Sequence, residues 1–183
     1  DRVPCFGNEW NQNLAQLVLT ALPAPPEGVS GDGGTPFDGG QAPRVNVLGR
    51  VQIGGALKGA SSNRRARATE FLAYLALHPG ASAHEIDEAI WPGRRVAKEM
   101  RNSFVSRVRH WLGSDPDGQP FLPLVGDHGD YRLSAEVSCD WHDFLRFARE
   151  GLASGPVGAD LLARALSLVR ARPFLGIDPT TYN

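Results

Sequence analysis

Between Arg94 and Leu112 the chain reads RRVAKEMRNSFVSRVRHWL, a stretch whose polar side chains are those that grip nucleic acid. Guanidinium and ammonium groups neutralise phosphate oxygens, while amides and hydroxyls supply the donor–acceptor pairs that read base edges. On a 3.6-residue helix, Ala97, Met100, Phe104, Val105, Val108, Trp111 and Leu112 share one face. Lys98, Asn102, Ser106 and Arg109 fall near the middle of the opposite face. Glu99, Ser103 and His110 border them, Arg107 lies at the edge of the apolar arc, and Gly113 follows where a C-cap would close the helix. Arg107 and Arg109 are the leading candidates for DNA contact, and Asn102 suits bidentate bonding to adenine. The bland alternative is a solvated surface helix with ordinary basic residues.

Other chemistry-bearing groups lie outside this stretch. Arg64, Arg65 and Arg67 crowd the first turn of an earlier helix. Positive charge there opposes the helix dipole, so Arg64, Arg65 and Arg67 are read as phosphate anchors and not base readers. Asp127-His128-Gly129-Asp130 could suggest a metal or acid–base site, but Gly and Asp also dominate hairpin loops for backbone reasons. Cys139 and His142 have ligand-like spacing with no second pair to complete a tetrahedral site. The sequence contains no phosphate-cradling glycine loop, nucleophile elbow or HExxH. The expectation is therefore a binding protein and not an enzyme, with no metal and no cofactor.

These groups need a scaffold, and 183 residues with 42% apolar and 21% charged content can supply one. Net charge is −1, yet residues 58–112 hold ten Lys or Arg against five acids. That middle carries +5, between flanks of −2 (residues 1–57) and −4 (residues 113–183). A basic centre between acidic flanks is the distribution an electrostatic footprint requires. No apolar run approaches the roughly 20 residues of a membrane-spanning helix. Two cysteines in unlike contexts suit a reducing compartment, so a cytoplasmic location is expected. The chain opens on Asp1 and ends at Asn183, and it is expected to be a piece of a longer protein.

Periodicity then sets the order of elements. Residues 1–22 hold a short amphipathic helix, EWNQNLAQLVLTAL, and 23–43 form a Pro/Gly-rich linker. Strands are expected around Val45, Val47, Val51 and Ile53, with Gly49 as a bend. Gly54-Gly55 invites a hairpin with Ala56–Lys58 as its return. A helix over about 63–78 carries Ala68, Phe71, Leu72 and Leu75 inward, and Pro79-Gly80 stops it. Ser82 to Glu85 is a capping box opening a short second helix, and residues 94–112 form the third. Phe121–Val125 and Tyr131–Leu133 flank a Gly-containing loop as a β-hairpin. Strands, two helices, a basic third helix and a hairpin make the order of a winged helix-turn-helix. Asp140–Asp143 opens a helix with Trp141, Phe144, Leu145 and Ala148 inward, and Ala159–Arg172 is a second, halted by Pro173.

LAYLALHPGASAHEIDEAIWPG, then RNSFVSRVRHWLG and DYRL, resemble the DNA-binding domain of actinobacterial transcriptional regulators. These are the Streptomyces antibiotic regulatory proteins and relatives, which share the OmpR-like winged helix. DWHDFLRFAREG and LLARALSLVRARPFLGID resemble the start of the bacterial transcriptional activator domain, a TPR-like helical module. The resemblance covers about residues 44–183. It implies a cytoplasmic transcription factor with double-stranded DNA as partner and RNA polymerase as a further one. In some relatives this cassette ends a membrane-anchored chain, so a tethered parent chain fits too.

Arg107 and Arg109 stand where the family's SRLR-type motif places DNA-contacting arginines. The wing departs from the pattern. Relatives carry RGxGYR there, whereas this chain has Gly126-Asp127-His128-Gly129-Asp130-Tyr131-Arg132. Two carboxylates at the tip repel phosphate, which Arg132 and a protonated His128 offset in part.

The expected fold is α+β, mainly α: a winged helix-turn-helix over 44–135 followed by a TPR-like helical pair over 139–183. The DNA-binding set is Arg64, Arg65, Lys98, Asn102, Ser106, Arg107, Arg109 and Arg132. A winged helix turned protein-interaction module, holding polymerase or a signalling partner with little DNA affinity, is the alternative. Glu99, the acidic wing and the net charge of −1 motivate it.

Overall fold

The computed structural model describes residues 42–55, 62–125 and 129–177, the side chains of residues 62–64 excepted. The expected helix at 9–22, most of the linker, the return strand at 56–58, the Arg64 side chain and the loop tip Gly126-Asp127-His128 lie outside the described residues.

The elements run β1 (Arg44–Asn46), β2 (Gln52–Gly54), α1 (Ser62–Leu77), α2 (Ala83–Ile90), α3 (Lys98–Leu112), β3 (Ser138–Cys139), α4 (Asp140–Ala153), a 3-10 turn (Gly155–Gly158) and α5 (Ala159–Ser167). The architecture is α+β and mainly helical, with a small sheet in the order β2-β1-β3. β1 and β2 pair antiparallel with Val45 opposite Ile53, so the chain reverses at residues 47–51, around the expected Gly49 bend. β1 also pairs with β3, in parallel, with Val45 opposite Cys139.

Two apolar clusters share α1. Its predicted stripe, Ala68, Phe71, Leu72 and Leu75, is buried with Ile86, Ala89 and Ile90 of α2 and Val105, Val108 and Leu112 of α3. Ala73 and Ala76 point the other way, into a second cluster with Val45, Val47, Leu48, Trp141, Phe144 and Ala165. Small residues on that flank let the sheet and α4 approach closely. The boundary expected near residues 135–139 is thus crossed by both the sheet and the second cluster.

Local chemistry explains where the helices begin and end. Ser82 caps α2: its hydroxyl accepts from Glu85 N–H at 3.3 Å, and Glu85 accepts back from Ser82 N–H at 2.7 Å. α5 stops at Ser167, short of the expected Arg172. Tertiary bonds claim the continuation: Arg170 N–H donates to Leu48 O, Phe174 N–H to Val47 O and Leu175 N–H to Gly49 O. α4 and α5 meet at glycine. A Cβ on Gly158 would lie 2.0 Å from Gly151 O, and only glycine permits that approach.

The expected β-hairpin after α3 is not a ladder among the described residues. Phe121 and Leu122 turn inward, and Tyr131 instead bridges Ala81, with Tyr131 N–H donating to Ala81 O at 2.8 Å and Gly80 N–H to Tyr131 O at 2.9 Å. Burial of Phe121, Leu122 and Tyr131 in the first cluster outweighs pairing between the two segments.

Candidate nucleic-acid interface

α3 begins at Lys98 and not at Arg94. Gly93 at φ 68 closes a turn in which Arg94 N–H donates to Trp91 O, and Ala97 is an extended N-cap with no side-chain bond. Gly113 at φ 86 ends the helix. Phe104 fastens α3 to the core, edge-on to Phe71 at 5.4 Å and to Trp91 at 5.1 Å. Arg101 forms a close ion pair with Asp87 of α2, and both side chains are largely buried, at 12% and 16% exposure.

The buried residues and the ion pair together define how α3 is rotated. Val105, Val108 and Leu112 are its buried residues, and the largely buried Arg101 side chain lies on the same side. At 100° per residue the opposite pole is then Glu99, Ser103, Ser106 and His110. All four are exposed. Sequence periodicity had put Lys98, Asn102, Ser106 and Arg109 in that place by counting Met100 and Trp111 as core. Met100 is 45% exposed and Trp111 only half-buried. Periodicity weighs apolarity alone, whereas a partly buried guanidinium with a carboxylate partner also faces inward. The overlooked signal was Asp87 on a neighbouring helix, whose register to Arg101 needs the fold.

Each expected site residue can now be placed. Lys98, Asn102, Ser106 and Arg107 are exposed on α3, with Asn102 on one flank of the pole, Arg107 on the other, and Lys98 in the first turn further round toward the buried side. No hydrogen bond or ion pair among the described residues engages these four. Arg109 differs. Its Nε donates to Leu122 O at 2.7 Å and an Nη to Pro123 O at 3.1 Å, so the half-buried guanidinium ties α3 to the segment behind it. Arg65 is exposed in the first turn of α1. Arg132 is exposed and sits 3.6 Å from Asp130, within its own loop. Arg94 and Arg95 extend the exposed cations just ahead of α3.

No family model, curated protein or solved structure matches the chain.

The remaining titratable groups have structural settings. Burial pushes the Cys139 thiol up to about 11, leaving it a poor nucleophile or metal ligand at neutral pH. Burial holds His78 below its ordinary range, with Glu85 pulling the other way. Backbone and side-chain bonds from Ser82 lower Glu85. Among the described residues no cluster of His, Cys, Asp or Glu could hold a metal ion, and no helix is long and apolar enough to cross a membrane.

Asp140, expected as an N-terminal cap of α4, is wholly buried. Its carboxylate accepts from Val47 N–H at 2.8 Å, Leu48 N–H at 3.2 Å and Arg170 at 2.6 Å. It holds the start, middle and end of the described chain at one point.

Proposed function

We propose that the chain is a transcriptional regulator that binds double-stranded DNA, with α3 lying in the major groove of the duplex. On this reading α1, α2 and α3 form a winged helix-turn-helix, and the α4–α5 pair engages a further partner such as RNA polymerase. The observation that carries the reading is the outward side of α3. Asn102, Ser103, Ser106, Arg107 and His110 are all exposed there, with Lys98 exposed in the first turn beside them, while Val105, Val108 and Leu112 anchor the opposite side. A rigid helix offering cations on its flanks and hydroxyls and amides between them has the chemistry of phosphate positioning plus base reading.

The test is binding of a random-sequence duplex across a salt series, for the native chain and for Lys98→Ala/Arg107→Ala. Neither side chain has a hydrogen-bond or ion-pair partner among the described residues, so thermal stability should hold. Loss of two phosphate contacts should flatten the log–log salt slope by about two and weaken binding by roughly tenfold or more at moderate salt. Equal binding by the double variant, or no binding by the native chain even at low salt, would overturn the proposal.

The second reading, a protein-interaction module, draws on Glu99 at the centre of the outward side and on exposed Met100 beside it. A carboxylate at the pole is unfavourable against a polyanion and ordinary against a protein. Capture of a partner that fails on mutation of this face, with no duplex retained, selects that reading.

A further inference from the structure

Glu99 is the one acid on the outward side of α3, and the rotation defined by the buried residues and the Arg101–Asp87 pair places it at the pole and not at the rim. It is exposed, and no hydrogen bond or ion pair among the described residues satisfies it. Lys98 precedes it, but consecutive residues on a helix diverge by 100° and do not face each other. A carboxylate in that position cannot be neutral toward a duplex. It accepts hydrogen bonds and donates none, it is repelled by phosphate, and closure of a groove over it strips its water.

Only one arrangement relieves that cost: a donor on the base edge directly opposite. In the major groove the donors are the cytosine N4 and adenine N6 amines; adenine sets its N7 acceptor beside the amine, which repels a carboxylate, whereas cytosine N4 does not, and guanine and thymine edges present only acceptors. We propose that Glu99 is a specificity-determining residue that selects a cytosine in the bound duplex. The proposal rests on the DNA-binding reading above. Glu99 discriminates as much by rejection as by attraction, because a guanine or thymine edge directly opposite presents only acceptors and leaves a desolvated charge unpaired. Asn102 and Arg107, on either side of the pole, read or anchor neighbouring positions and are not required for this choice.

A plain structural role is the competing account. Glu99 sits in the first turn of α3, where Ala97 supplies no capping side chain, and a carboxylate there stabilises the helix dipole. The two accounts separate in a selection from a randomised duplex library with native, Glu99→Gln and Glu99→Ala chains. The native chain should enrich sites with cytosine fixed at one position. Glu99→Gln should keep the rest of the motif and replace that cytosine by adenine, because an amide bonds adenine N6 and N7 in a bidentate way. Glu99→Ala should leave that position degenerate, with discrimination there falling by about tenfold, and bind unrelated duplexes more tightly. A structural role would instead weaken all positions together. Identical motifs from the three chains, or a native motif with no fixed cytosine, would overturn the assignment while leaving DNA binding intact. Failure of the native chain to retain any duplex would overturn both.

Discussion

Arg107 and Arg109 stand two apart in the sequence SRVR and are chemically identical, yet the fold gives them opposite employment. Arg109 spends Nε and one Nη on the carbonyls of Leu122 and Pro123, at 2.7 and 3.1 Å. Arg107 is exposed, with no such partner among the described residues. Charge-assisted bonds to half-buried carbonyls contribute about 1.5–3 kcal/mol each at most, and less where water competes. Arg109→Ala should therefore lower stability by about 2 kcal/mol, read as a lower urea midpoint with an unchanged slope. Arg109→Lys should recover little, since an ammonium cannot reproduce the two-point fork. Arg107→Ala should leave the midpoint where it is. Equal midpoints for native and Arg109→Ala would show that the two carbonyls are as well served by water. This division was not legible in the sequence, because it depends on where residues 122 and 123 return, which no local pattern encodes.

At the scale of elements, legibility followed how local the determining force is. The capping box at Ser82–Glu85, the α1 stripe and the end of α3 at Gly113 rest on contacts within a few residues, and each stands where the sequence put it. The elements that moved answer to distant partners. The rotation of α3 follows its buried residues together with an ion pair to α2. The α4–α5 junction depends on a backbone approach that composition hints at only as two glycines in a loop. A methyl group at Gly158 would meet Gly151 O at 2.0 Å and cannot be accommodated without separating the helices. Gly158→Ala should cost about 2–4 kcal/mol through that overpacking. Its φ of −81 is ordinary for alanine, so the loss would report the clash and not backbone strain. A thermal midpoint within a degree of the native value would mean that the junction opens at little cost.

At the scale of the whole molecule, α1 belongs to both apolar clusters and β1 is held from two sides, so the helical pair is built into the body that carries α3. Asp140 is where that coupling concentrates. Its buried carboxylate satisfies Val47 N–H and Leu48 N–H and meets Arg170, joining the turn after β1, the start of α4 and the segment after α5. Asp140→Ala leaves two buried amides unsatisfied and strands the guanidinium, a loss of about 3 kcal/mol dominated by the amides because Arg170 is half-exposed. The tryptophans can tell whether the damage spreads. Trp91 and Trp111 report the first cluster, Trp141 the second. With Trp10 and Trp141 replaced by phenylalanine, fluorescence follows only the three-helix cluster. Asp140→Ala in that background should still shift the unfolding midpoint down, by as much as it does when Trp141 alone is kept. Coincident shifts mean that strain placed on α4 and α5 reaches α3 through one cooperative unit. If the Trp91 and Trp111 signal keeps its native midpoint while the Trp141 signal falls, the clusters melt separately, and strain at the helical pair has no route to α3.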